Sequence, residues 1–267
     1  MSNKPTLRIG SLFAGIGGLE LGLERAGLGR VAWQVEIDPN RRAVLAKHWP
    51  DAKRFRDVRM CAGSRASCTD EQALDQVEVI CGGFPCQDIS SASRGRGGGI
   101  EGSKSGLWRE YVRIIEEVEP AIVVVENVAG AAARKWLPSV RGALHVLGYR
   151  TRALRVDARD VGAPHARARV FVVGYADAQA QSTRAVDAEM ARVRSFTDLA
   201  RHWWEPVTGR LRVANGFPER MDIARLEMLG DSVVPQCAEL VGRVIVHDIM
   251  KAATLAPARE LTKASIL

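Results

Sequence analysis

The run Leu7-Arg8-Ile9-Gly10-Ser11-Leu12-Phe13 leads straight into Ala14-Gly15-Ile16-Gly17-Gly18. Its first seven residues read as a buried strand, and the glycines make a tight turn. Leu19 to Ala26 carries apolar residues at helical spacing, and Gly27 ends the helix. A strand, a glycine turn and a helix leave free backbone N–H groups at the helix N-terminus, where a ligand can bind. Val31 to Ile37 reads as a second strand, and Asp38-Pro39-Asn40 opens a second helix. Glu36, at the end of that strand, stands about 20 positions after the turn, where a carboxylate can accept hydrogen bonds from ribose hydroxyls. An adenosine-containing cofactor therefore fits. Gly15, Gly17 and Gly18 are spaced G-x-G-G, which is not the dinucleotide fingerprint and speaks against a nicotinamide enzyme.

Working outward, Val77 to Cys81 is an apolar strand that enters Gly82-Gly83-Phe84-Pro85-Cys86, and Ala121 to Val125 is another that ends in Glu126-Asn127. Strands alternating with helices predict a parallel sheet with right-handed crossovers. Arg150 to Val156 and Val170 to Gly174 read as a hairpin at the sheet edge. Pro235 opens an amphipathic helix within Gly230 to Met250, and the tail beyond Ala252 reads as weakly structured. The Gly/Ser/Arg-rich stretch from Ser90 to Ser105 reads either as a connector or as a mobile loop over a site. Tyr175 to Met228 is polar, lacks periodicity and carries Trp203 and Trp204; it reads as a small separate lobe.

The 267 residues, 46% hydrophobic, suffice for one large core with a small appendage. Thirty-eight Lys and Arg against 31 Asp and Glu give a net charge of +7, which suits a polyanionic partner. No apolar run reaches the roughly 18 residues of a membrane span. Met1 to Pro5 has no signal-peptide core, so a cytoplasmic protein is expected. Five scattered cysteines argue against a disulfide framework and for a reducing compartment. Cys61 and Cys68 have no second pair or nearby histidine, so they read as plain thiols and no metal is expected.

Cys86 differs from the rest. It follows a strand's C-terminal end, where open α/β sheets bind ligands, and Pro85 and the glycines hold it in a tight loop. Its thiolate would be the reactive form. The alternative, an inert buried thiol, suits Cys81 inside the strand.

The stretch Gly82-Gly83-Phe84-Pro85-Cys86-Gln87-Asp88-Ile89-Ser90 resembles the catalytic loop of the cytosine-C5 DNA methyltransferase family. Leu12 to Gly18 is similar to its cofactor motif, and Glu126-Asn127-Val128 to its catalytic glutamate motif. Gly162 to Arg169 resembles its Gln-x-Arg-x-Arg motif, and Leu229-Gly230-Asp231-Ser232-Val233-Val234-Pro235 its C-terminal Gly-Asn-Ser-Val-Val-Pro motif. The five occur in the family's order from about residue 7 to about residue 250.

The resemblance implies a Rossmann-like S-adenosylmethionine-dependent methyltransferase fold: α/β, a mostly parallel sheet flanked by helices, with a small target-recognition lobe. Residues 1–174 would form the catalytic and cofactor-binding domain, 175–228 the recognition region, and 229–267 a segment returning to the catalytic domain. Cys86 would add to C6 of cytosine, making C5 nucleophilic, while Glu126 acts at the N3 and N4 edge. Arg169 would hold the base and the carboxylate, Arg167 the base or a phosphate, and Asn127 would orient the loop or Glu126. Phe13, Gly15 and Gly17 would surround the methionine part of the cofactor and Glu36 the ribose. Asp57 would accept from the adenine amine, Leu107 would pack nearby, and Asp231, Ser232 and Val233 would complete the pocket. Pro85, Gln87, Ser90, Arg94 and Arg96 would contact the substrate, a cytosine flipped from double-stranded DNA.

Two positions depart from the family pattern. His165 stands where it has Gln, and Asp231 where it has Asn; a carboxylate donates no hydrogen bond unless protonated. The recognition region is short, which predicts a short or loosely specified target. The chain is expected to be a bacterial or phage-encoded monomer, paired in function with a restriction endonuclease or acting against a host restriction system. A tRNA cytosine-C5 methyltransferase and a catalytically inactive DNA-binding relative are the alternatives.

Overall fold

The computed structural model describes residues 7–63, 69, 72–85, 106–176 and 227–255. Cys68, Cys86, Gln87, Ser90, Arg94, Arg96, Trp203, Trp204, most of the 175–228 region and the tail beyond Leu255 lie outside them.

Seven strands form one sheet in the order β3-β2-β1-β6-β7-β9-β8. Their bounds are β1 Leu7–Leu12, β2 Gly29–Val35, β3 Lys53–Phe55, β6 Val79–Gly83, β7 Ile122–Val128, β8 Tyr149–Asp157 and β9 Ala168–Ala176. The first five pair in parallel, while β9 runs antiparallel to β7 and to β8 at the edge. Strands β4 (Ala62–Gly63) and β5 (Ala73–Leu74) make a separate short pair. The chain runs outward from β1 to β3 and returns to place β6 on the other side of β1. The order therefore reverses between β1 and β6, and ligands of open α/β sheets bind outside the strand ends at such a point.

Helices cover both faces. On one side α1 (Gly18–Arg25) and α5 (Pro235–Leu255) pack over Ile9, Val79, Val124 and Phe171. On the other α3 (Gly106–Val118) and α4 (Ala133–Val146) pack over Leu12, Ile80, Val123 and Val125. Alternate residues of β7 thus serve opposite layers, and burial on both faces explains its unbroken valine run. Helix α2 (Pro39–His48) starts as its sequence predicts: the Asp38 carboxylate accepts from the N–H groups of Asn40 (2.7 Å) and Arg41 (3.0 Å), with proline at the first position.

Strand ends differ from the sequence expectation. The strand read as Val77 to Cys81 runs to Gly83, and the one read as ending at Val125 runs to Val128. Pairing decides both: Gly83 is the partner of Glu126, which also pairs with Phe171. The strand read as Val31 to Ile37 stops at Val35, where pairing with β3 ends.

Candidate active site

A cavity of about 520 Å³ opens at the point of strand reversal. Its walls come from the turn after β1, the ends of β2, β6 and β7, the start of β9 and the chain before α5.

The β1 turn begins with Phe13 at φ 55, a costly conformation for a bulky side chain and a mark of a functional turn. Glu36 holds the turn from below: its carboxylate accepts from the N–H groups of Gly15 (2.7 Å) and Asp38 (2.9 Å). Gly15, Glu36, Leu107, Ser232 and Val233 line the cavity as does Phe13. Asp57 lines it too, with its carboxylate turned to Arg59 at 2.6 Å, which draws its pKa below the usual range. Asp231 also lines it and takes an ion pair from Arg41 at 2.6 Å. Gly17 lies off this cavity. At φ 87 its α-carbon faces the Trp49 ring, which would stand 2.3 Å from an added β-carbon.

Pro85 lines the cavity immediately before Cys86. The backbone there is clamped. Asn127 Nδ2 donates to the Phe84 carbonyl at 3.0 Å, and the Phe84 ring packs between Trp108 and Trp136, centroids 5.3 and 6.1 Å away. Trp136 Nε1 in turn donates to the Val128 carbonyl at 3.0 Å.

Glu126 stands beside this clamp. It pairs with Phe171, so Arg169 is its diagonal neighbour on the same face of β9. Arg169 Nε lies 2.9 Å from Glu126 Oε1, but the N–H is not directed along that line, so the contact is an ion pair without a formed hydrogen bond. Burial pushes the Glu126 carboxyl up to about 7, against the pull of Arg169 and Arg167. Near neutrality it is thus shared between acid and carboxylate. Arg167, two residues before, faces an adjoining recess with His165, and its guanidinium donates to the Ser232 carbonyl at 2.8 Å. Burial, and then Arg169, lower its pKa. Arg167 therefore joins β9 to the C-terminal motif, where the sequence suggested a base or phosphate contact.

A model of the C-5 cytosine-specific DNA methylases matches residues 7–206. The chain belongs to this family. It is 36% identical over 177 residues to the type II methyltransferase M2.BsuMI of Bacillus subtilis, covering 62% of this chain and 41% of that protein. It is 34% identical over 183 residues to M.Sau3AI of Staphylococcus aureus, covering 63% and 43%. The chain spans about half the length of the curated relatives it matches. Among solved structures, a prophage-encoded candidate DNA modification methyltransferase of E. coli is similar, with TM-score 0.55 and 27% identity over 68% of this chain and 50% of that one. A Spodoptera frugiperda DNMT2 mutant shares the fold, with TM-score 0.50 and 18% identity over 64% and 50%.

In this chain no group of three or more His, Cys, Asp or Glu among the described residues is placed to hold a metal, and no described helix is long and apolar enough to cross a membrane. The motifs leave unmarked Arg41, Arg56 and Arg59 on the cavity wall, and also Glu20 with Ser11 beside it. The signal was available: Glu20 falls next to Leu19 and one turn before Leu23 and Glu24, on the stripe of α1 that must face the sheet.

Proposed function

We propose that this protein transfers a methyl group to C5 of a cytosine flipped out of double-stranded DNA, through a covalent bond to Cys86. The observation that carries the reading is the pairing of buried Glu126 with half-buried Arg169, set beside Pro85 on the cavity that also receives the β1 turn and Glu36.

C5 of cytosine is a weak nucleophile. Addition of the Cys86 thiolate to C6 forms a C–S bond and leaves an enamine whose C5 can attack. Negative charge moves onto the ring, and Glu126 relieves it by placing its proton at N3. A carboxyl with a pKa of about 7 is matched to that task. Arg169 keeps the carboxyl oriented, Asn127 fixes the backbone that presents Cys86, and Arg167 ties the arginine strand to the 231–233 turn. Once C5 carries the methyl group, solvent takes the C5 proton as the C–S bond breaks and returns the Cys86 thiolate, and the N3 proton goes back to Glu126, restoring the aromatic base.

The cavity suits S-adenosylmethionine. Nothing stands within 4 Å of where a β-carbon on Gly15 would be, and both carboxylates and apolar groups line the wall. Phe13, Gly15, Glu36, Asp57, Leu107 and residues 231–233 would hold it. When bound, it supplies the electrophilic methyl group on a sulfonium. Residues 175–228 would read the target sequence, with Gln87, Ser90, Arg94 and Arg96 closing on the DNA. The type II names of the relatives favour a protective role against a nuclease of matching specificity.

The test is transfer of labelled methyl from S-adenosylmethionine to mixed-sequence duplex DNA, with Cys86→Ala alongside and 5-methylcytosine mapped at base resolution. Label at cytosine C5 that vanishes in the variant is expected. Transfer to tRNA and not to DNA would move the substrate to RNA. No transfer by a folded protein that binds the cofactor would overturn the reading.

A further inference from the structure

We propose that Glu20 is the counter-charge for a sulfonium in this cavity, and that it makes the site prefer S-adenosylmethionine to its neutral thioether product. The proposal rests on the cofactor reading above and adds a residue outside the motifs that support it.

Five carboxylates line the cavity. Four are matched. Glu36 accepts from two backbone N–H groups, Asp57 faces Arg59, Glu126 faces Arg169 and Asp231 faces Arg41. The fourth arginine on the wall, Arg56, acts on Asp57. Glu20 is fully buried, and neither of its oxygens has a hydrogen-bond partner.

What surrounds Glu20 can be traced through the register. Ser11 on β1 pairs with Gln34 on β2 and with Cys81 on β6, so the three lie in a row across the sheet on the face that α1 covers. Ser11 Oγ, the Glu20 backbone N–H and the Gln34 amide draw the carboxyl's pKa down without reaching hydrogen-bonding geometry, and the Ser11 and Gln34 polar atoms also lack partners. Glu24, one turn along α1, repels it. Among the described residues no lysine or arginine forms an ion pair with it. Buried polar groups are ordinarily satisfied, and an apolar side chain would fill this space without the cost of burying a charge. A group retained in this state on a cavity wall points to a partner that arrives with the ligand.

A sulfonium fits better than an ammonium. It has no N–H to donate, so it needs charge beside it and no aligned acceptor. Burial holds the Glu20 acid up to about 7, so the carboxyl is close to half ionised at neutrality. A cation placed beside it draws the remaining proton off to solvent. Loss of the methyl group leaves a neutral thioether, and the carboxyl takes the proton back.

The test is calorimetric binding of S-adenosylmethionine and of S-adenosylhomocysteine to the full chain and to Glu20→Gln between pH 6 and 8.5. Wild-type affinity for the sulfonium form should rise with pH through about 7 and flatten in the variant. The variant should lose about tenfold for that form, the equivalent of one pKa unit, and under twofold for the thioether. In buffers of different ionisation enthalpy, the wild type should release protons with the first ligand and not the second; this readout needs no variant and stands even if Glu20→Gln does not fold. Equal losses for both ligands, or equal proton release, would overturn the proposal and leave the cofactor reading standing. Binding of neither ligand by the wild type would overturn both.

Discussion

Glu126 Oε2 rests against the α-carbon of Gly83, where an added β-carbon would stand 2.6 Å from it. The two residues are register partners on adjacent parallel strands, so pairing fixes both backbones and the Glu126 side chain is the part that must shift. Gly83→Ala should push the carboxyl off Arg169. Methyl transfer should fall by at least about tenfold, and stability by roughly 1–3 kcal/mol, as for other overpacked sites. Steady-state kinetics and urea unfolding would measure both. An unchanged rate would show that the carboxyl is not needed where it lies.

The Glu126 acid, held up to about 7 by burial, sets a limb of the pH profile. As the proposed proton donor to the base, it should make the rate fall as pH rises through about 7. The need for a thiolate nucleophile imposes the opposite, rising limb. Glu126→Gln has no proton to lose and should slow single-turnover transfer about a hundredfold or more. Its falling limb should disappear; persistence of that limb would assign it to another group.

Asn127 holds the Phe84 carbonyl, and on the proposed mechanism it would act on the base only through that backbone. Asn127→Ala removes that hydrogen bond and leaves a buried acceptor, costing about 1–3 kcal/mol. The turnover rate should drop while cofactor affinity stays within about twofold. Loss of cofactor affinity with an intact rate would contradict the clamp.

Asp231, where the family pattern has Asn, is matched by Arg41 across 190 positions of sequence. The pair is close, at 2.6 Å, yet two-thirds of the Asp231 side chain is exposed. Asp231→Asn should therefore change stability by less than about 1 kcal/mol. Cofactor affinity should hold within about twofold at moderate salt. A tenfold loss would show that the ion pair shapes the pocket.

Glu20 should make stability depend on pH. Its folded pKa, about 7, is raised above the model-peptide value of 4.5, so the folded chain holds the proton more tightly than the unfolded one. The contribution is complete below about pH 4.5 and is lost as pH rises toward 7. Glu20→Gln avoids that loss and should be the more stable protein at pH 8, by up to roughly 3 kcal/mol. The difference should shrink toward zero near pH 4.5. Urea unfolding at both pH values decides; a constant difference would mean that Glu20 does not titrate in this range.

Much of this site is legible in the chain because it is written in local spacing. The glycine turn after Leu12, the Asp38-Pro39 helix start and the valine run before Glu126 each follow from backbone geometry over a few residues. They bring the same strand ends to the cavity that the motifs marked, and the family match covers most of that stretch. Arg167 shows where such reading stops. Its spacing from Arg169 puts both on one face, but only the folded chain shows that it reaches Ser232, 65 positions away.

The sequence by itself determined six strands of the large sheet, the first, second and last helices, the glycine turn after β1 and the residue types that match the family's motifs. Hydrophobic period and turn preference act between near neighbours, and any chain with this pattern would obey them. The tertiary structure alone decided which groups are neutralised and which are left alone. Gly83 beneath Glu126, Arg41 against Asp231 and Glu20 without a cation all depend on which strands become neighbours and how deeply each group is buried. Desolvation and charge pairing arise only when distant parts of the chain close over one another.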